Sequence, residues 1–142
     1  MTTATHVLLL LTMAGGTVTD MTGGGASWVA NRHRDAMFTD QLANLGQFYL
    51  ADADPRDPRA SPLFGDLQGL PPMLLHVGES EMLRDDSVRF AEAAQAEGSP
   101  VTVKVWPGAP HVWQFMHSFL PEARRSLDEA AAFLNEAMVA AS

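Results

Sequence analysis

The chain has 142 residues, 46% hydrophobic and 18% charged, a size and composition that suit one globular domain and exclude a disordered chain. Its formal charge of -8 repels phosphate backbones and anionic membrane surfaces, so nucleic acid is not an expected partner. With no cysteine, disulfides, thiolate zinc sites and a cysteine nucleophile are excluded, and a reducing, cytoplasmic compartment is expected.

The first stretch, MTTATHVLLLLTMAGG, resembles a secretory signal in its apolar run and small residues, but no Lys or Arg precedes the run. The run falls well short of the ~20 residues that span a bilayer, so no membrane span is expected. Val7 to Met13 reads instead as a strand covered on both faces. From Ala14 to Met37 the Gly, Thr and small polar residues predict a long loop. Its Gly23, Gly24 and Gly25 lack the Lys and Ser/Thr that would make a phosphate loop. Trp28 and the cluster Asn31, Arg32, His33 and Arg34 read as solvated loop with one packed aromatic.

Phe38 to Leu50 carries Leu42, Leu45 and Tyr49 at i, i+3 and i+7, which predicts a helix. Ala51 to Pro62, with three prolines, cannot continue it and reads as an extended surface loop. Leu63 to Leu70 leads into Met73 to Val77, a buried strand that breaks at Gly78 into an acidic loop holding Glu79, Glu81, Asp85 and Asp86. A helix then enters near Asp85 or Asp86 and runs to Glu97, with Val88, Ala91 and Ala94 inward beside Phe90. Gly98 ends it and Pro100 prevents its resumption. Val101 to Trp106 alternates Val101, Val103 and Val105 with Thr102, Lys104 and Trp106, as a strand near a sheet edge does. The turn PGAPHVW follows, and a last helix runs from Pro121 to about Met138 with an apolar stripe of Leu127, Ala130, Ala131, Leu134 and Met138.

Strands alternating with helices predict an α/β fold with about three parallel strands. A usual sheet has ~4 to 6, and the first strand, the most apolar, needs neighbours on both sides. The expectation is that sequence is missing before it.

In a parallel sheet the loops leaving the carboxyl ends of strands carry ligands and catalytic groups. A carboxylate and an imidazole on two such loops are two thirds of a hydrolytic triad, whose base takes a proton from a hydroxyl while the acid orients the ring. His111, after a stiff Pro-Gly-Ala-Pro turn, is the candidate base. His117 reads as an exposed residue near the last helix, and His76, mid-strand, as a core or half-buried histidine. For the acid, Glu81 competes with Asp85 and Asp86, which have an alternative role as helix caps. Ser80, in Gly78-Glu79-Ser80-Glu81-Met82, imitates a G-x-S-x-G nucleophile turn but has Met82 where the second glycine belongs. Ser27, Ser61 and Ser87 have no such motif. No histidine pair has the short helical spacing of a zinc site, and the chemistry calls for no cofactor.

The segment SPLFGDLQGLPPMLLHVGESEMLRDDSVRFAEAAQAEGSPVTVKVWPGAPHVWQFM resembles the C-terminal part of α/β-hydrolase esterases of the hormone-sensitive lipase family, and TDMTGGGASW, DAMFT and YLADADPRDPRASP resemble what precedes it there. The resemblance implies a partial α/β-hydrolase fold in three parts: a poorly matching start over 1–18, a loop and helix region over 19–62, and an acid- and histidine-bearing segment over 63–142. The family's D-x-L-x-D-[DE] motif reads Glu81-Met82-Leu83-Arg84-Asp85-Asp86 here, which implies Glu81 as the acid, and the family histidine matches His111. The HGGG oxyanion motif and the G-[DT]-S-A-G nucleophile turn of intact members do not occur in the sequence. What the resemblance implies is a carboxylic-ester hydrolase fragment, inactive alone, that would act on a small acyl ester when completed by an N-terminal fragment. The alternative is a non-catalytic remnant that self-associates, as a homo-oligomer, or binds a partner through an exposed strand edge.

Overall fold

Met73 to Gly78 forms strand β1, in which five of six residues, His76 among them, are buried, as expected of a strand covered on both faces. The computed structural model that shows this describes residues 16–35 and 48–140. The expected strand Val7 to Met13 and most of the expected helix Phe38 to Leu50 lie outside the described residues; 48–50 are helical. The remaining elements are a short helix α1 (Ser27–Ala30), helix α2 (Arg84–Ala96), strand β2 (Val101–Trp106) and helix α3 (Pro121–Ala140), with 3₁₀ turns at Pro62–Phe64 and Trp113–Met116.

β1 and β2 pair in parallel, from Met73 opposite Val101 to Gly78 opposite Trp106, so both strands end at the same level. One face of the pair packs on α2 through Leu75, Phe90, Ala91, Ala94 and Val101. Truncating Phe90, 6% exposed at the centre of this layer, to Ala would cost about 3–5 kcal/mol. A second cluster of Trp106, Ala109, Trp113 and Ala123 joins the carboxyl end of β2 to α3.

α2 starts at Arg84, a little earlier than expected, and stops as its glycine predicts. Gly98 adopts φ 83°, its N–H donates to Gln95 O at 3.0 Å, and Ser99 N–H donates to Ala94 O at 2.9 Å, a Schellman closure. The inward face of α2 is Ser87, Phe90, Ala91 and Ala94, with Val88 only half-buried. The stripe expected on α3 is displaced: Ala123, Ser126 and Ala130 are buried, whereas Ala131 and Met138 are exposed. The polar Ser126 takes an inward position because it hydrogen-bonds His76, which a hydrophobicity pattern does not register. Likewise the alternation in β2 fails at its end, where Trp106 is buried and Val105 exposed, because Trp106 packs on Trp113 at a ring separation of 5.8 Å. Among the described residues no helix is long and apolar enough to cross a membrane.

Candidate active site

The in-step ends of β1 and β2 bring their following loops side by side. Glu79 N–H donates to Trp106 O at 2.9 Å, Gly108 N–H donates to Glu79 Oε2 at 2.9 Å, and Ser80 N–H reaches Ala109 O at 3.4 Å. The acidic loop and the histidine loop are thus joined before any catalytic group is considered.

Glu81 projects into this junction and is fully buried. Burying a carboxylate demands hydrogen-bond donors, and three are supplied. Its Oε1 accepts from Gly78 N–H at 2.6 Å. Its Oε2 accepts from Gly16 N–H and from His111 Nδ1, the latter at 2.6 Å. The His111 side chain is 7% exposed. With Nδ1–H donated to the carboxylate, the neutral ring carries its basic lone pair on Nε2, the tautomer a general base needs. The next residue, Val112, sits in left-handed backbone at φ 52°, an unfavourable conformation for a β-branched residue that swings the chain from the histidine into the 3₁₀ turn.

The other two candidate acids are engaged elsewhere. Asp86 Oδ2 accepts the N–H groups of Thr19 and Asp20, each at 3.2 Å, and its Oδ1 accepts from Trp28 Nε1 at 3.0 Å. Burial raises the Asp86 carboxyl above its ordinary value despite these donors. Asp85 Oδ2 accepts Ser27 N–H at 2.9 Å and Oδ1 accepts Arg84 Nε at 2.8 Å. Burial pushes the Asp85 carboxyl up, but the bonds from Arg84 and Ser27 prevail and hold it below its usual range. The expectation that these aspartates cap their own helix is corrected: Leu83 is the N-cap, with no side-chain cap bond, and both carboxylates instead fasten the segment 19–28 to the start of α2. Their charge still lies in the first turn, where the helix dipole favours it.

His76 is buried, its Nδ1 2.8 Å from Ser126 Oγ. His117 is exposed beyond the 3₁₀ turn. Ser80, half-buried, accepts from Arg34 at 3.3 Å at an exposed position.

The reading of residues 14–37 as solvated loop needs correction. Thr19, Asp20, Ser27, Asn31 and Asp35 are all buried, while Arg32, His33 and Arg34 are exposed as expected. Buried irregular backbone must find partners, and here side chains provide them. Ser27 Oγ donates to Met82 O at 2.6 Å, Asn31 Nδ2 donates to Glu79 O at 2.9 Å and Glu81 O at 2.8 Å, and Asp35 Oδ2 accepts Met82 N–H at 2.8 Å. Asp20 bonds Arg89 at 2.6 Å across to α2; burial raises its carboxyl, yet the donors from Thr22 and Arg89 leave it lowered. No hydrophobic periodicity marks these residues, so only their type, small and polar in a segment without a core stripe, could have signalled them.

Residues 3–115 match the profile of the alpha/beta hydrolase fold family. The chain is 44% identical over 119 residues to an acetyl-hydrolase of Streptomyces hygroscopicus, covering 83% of this chain and 40% of that protein. It is 40% identical over 116 residues to an esterase of Acinetobacter venetianus, covering 80% and 38%. Among solved structures it superposes on an esterase from the bacterial hormone-sensitive lipase family with TM-score 0.79 and 36% identity, over 83% of this chain and 40% of that one. It superposes about equally well on EstE5 soaked by p-nitrophenyl butyrate, with TM-score 0.78, 36% identity and coverage of 84% and 40%. The chain therefore spans about 40% of the length of these relatives. From the family match over most of its length and the parallel β1-α2-β2 unit that goes with it, the chain belongs to the α/β-hydrolase fold family.

Proposed function

We propose that this chain is the acid- and base-bearing portion of a serine carboxylic-ester hydrolase, with Glu81 orienting His111 and the nucleophile and oxyanion donors lying outside these 142 residues. The observation that carries the reading is the 2.6 Å contact between His111 Nδ1 and Glu81 Oε2, with both side chains sequestered from water. The esterases and acetyl-hydrolase among its relatives support small acyl esters as the substrate class. Glu81 holds the ring and stabilises the imidazolium; His111 Nε2 takes the proton of a serine hydroxyl as its oxygen adds to the ester carbonyl. The same proton passes to the departing alcohol as the acyl-serine forms. Water, deprotonated by His111, then releases the acid and restores the serine.

Without the serine the expected loss is about a million-fold, or ~8 kcal/mol of barrier, so the lone chain is nearly inert. A cytoplasmic location fits the absence of cysteine. The test is complementation: the chain is combined with an N-terminal segment carrying the HGGG and G-x-S-x-G motifs of a relative, and a short-chain p-nitrophenyl ester is assayed. Hydrolysis that needs both pieces and disappears with His111→Ala is expected; full activity in His111→Ala overturns the assignment.

A second reading is a non-catalytic remnant that self-associates through a sheet edge. Among the described residues the sheet has two strands, and Thr102, Lys104 and Val105 of β2 are exposed. Size-exclusion chromatography separates the two: a concentration-dependent oligomer abolished by Val105→Pro, with no activity on complementation, favours the remnant.

A further inference from the structure

The peptide unit that joins Glu81 to Met82 is held at both of its polar ends by one turn of chain. Its carbonyl accepts from Asn31 Nδ2 at 2.8 Å, and its N–H donates to Asp35 Oδ2 at 2.8 Å. The second Nδ2 hydrogen of Asn31 goes to Glu79 O at 2.9 Å, so one side-chain NH₂ bridges the two carbonyls that flank Ser80. Asn31 and Asp35 are themselves set at one-turn spacing by the bond from Asp35 N–H to Asn31 O at 2.9 Å. Both are buried, at 2% and 6% exposure.

From this grip we infer that Asn31 and Asp35 are positioning residues for the acid: by fixing the plane of the 81–82 peptide they set the direction in which the Glu81 side chain leaves the backbone, and with it the alignment of the Glu81–His111 pair. The inference rests on the proposed function for its catalytic meaning, but the grip itself does not.

The chemistry is specific to a carboxamide at 31. Both partners are carbonyl oxygens, so the position needs two N–H donors diverging from one atom, which an amide nitrogen provides. Serine offers one hydrogen, alanine none, and aspartate, of nearly the same volume, presents acceptors to acceptors. The Glu81 carbonyl also accepts from Arg84 N–H at 3.3 Å, but that longer bond is made within the same loop. The side chains of Asn31 and Asp35 are thus what tie this peptide to a distant segment, whereas the carboxylate has three donors of its own. A carboxylate well supplied with donors on a backbone anchored only within its own turn would follow that turn as it shifts. Pinning the peptide removes that freedom before His111 is engaged.

The experiment uses the full 142-residue chain and nuclear magnetic resonance. Two signals are followed: the far-downfield Nδ1–H resonance of His111, which reports the bond to Glu81, and amide exchange of Met82, which reports the peptide unit. In the wild type the Asn31 side-chain protons should exchange slowly, being both hydrogen-bonded; fast exchange there overturns the grip without any substitution. Asn31→Ala should broaden or abolish the His111 resonance and speed Met82 exchange about tenfold, the amount one hydrogen bond's worth of local opening gives. Asn31→Asp should do at least as much although it preserves volume. A packing role alone predicts the reverse, with Asp milder than Ala. If both variants keep the His111 resonance and the wild-type Met82 exchange, the positioning role is wrong. If the wild type itself lacks the His111 resonance, the acid-base pair of the proposed function fails, while Met82 exchange still decides whether Asn31 grips the loop.

Discussion

Gly78 and Ala109 approach so closely that a methyl group on Gly78 would lie 2.3 Å from the Ala109 carbonyl oxygen. The contact lies where β1 gives way to the acidic loop and the histidine loop passes over it, and Gly78 N–H is also one of the donors to Glu81. A side chain at 78 would therefore push the two loops apart at the point where the candidate acid meets the candidate base.

Gly78→Ala should destabilise the chain by about 1–3 kcal/mol, the usual cost of overpacking a filled site. Urea unfolding gives the loss. Because the obstructing atom belongs to backbone rather than to a flexible side-chain end, the histidine loop must move, and the complemented enzyme should lose activity in step. An alanine variant of wild-type stability and activity would show that the loops have room the geometry denies.

Glu81→Gln keeps the shape of the acid but removes its charge and offers an amide to a ring nitrogen that needs an acceptor. In the complemented enzyme kcat should fall about 10⁴-fold, the size of effect seen when a triad acid is neutralised and the imidazole tautomer is lost. Neither Asp85→Asn nor Asp86→Asn should show this signature, since their carboxylates bind Ser27 and Arg84, or Thr19, Asp20 and Trp28, and not His111. Steady-state kinetics of the three variants, corrected for folded fraction, make the comparison.

Stability should fall with acid below neutrality because of His76. Burial lowers its pKa below the ordinary 6.5 and outweighs the Glu129 carboxylate 3.8 Å from Nε2, while Lys104 adds to the lowering. The folded state therefore favours the neutral ring, its stabilisation is complete above 6.5, and it is lost as pH falls from there toward the folded value. The slope from this one proton is at most about 1.4 kcal/mol per pH unit. Asp86 acts in the opposite sense lower down: its raised pKa makes a contribution that is present below 3.8 and lost as pH rises through its folded value. Chemical denaturation between pH 8 and pH 5 should show the decline, and His76→Gln should flatten it; an unchanged slope would remove His76 as the cause.

Val112→Gly should raise stability. Left-handed backbone costs an ordinary L-residue about 1–2 kcal/mol, which exceeds the ~0.5–1 kcal/mol that glycine forfeits in chain entropy. A net gain of up to about 1 kcal/mol corresponds to a few degrees in Tm for a chain of this size. If melting is unchanged or lower, the Val112 side chain contributes packing that offsets its backbone strain.

The two strands, the helix between them and the terminal helix were legible because each is a local matter. A mostly apolar run of five, a glycine that closes a helix and a proline that opens one act within a few positions of themselves. The pairing of His111 with an acidic loop was also within reach, since consecutive parallel strands end on one edge. The face of α3 was harder, because Ser126 is held inward by a bond to His76 fifty positions away and no hydrophobicity scale credits it.

The chain's local chemistry by itself determined that an α/β unit forms, and that a carboxylate and an imidazole leave the same edge of its sheet. Tertiary structure decided between Glu81 and the neighbouring aspartates by placing Glu81 against His111, and it alone decided that a stretch resembling solvent-exposed loop is the buried frame of the candidate acid. The reason is distance along the chain. Gly16 reaches Glu81 across 65 positions, Asn31 reaches it across 50 and Thr19 reaches Asp86 across 67. Which donors satisfy a buried carboxylate is settled only when the whole chain has folded around it.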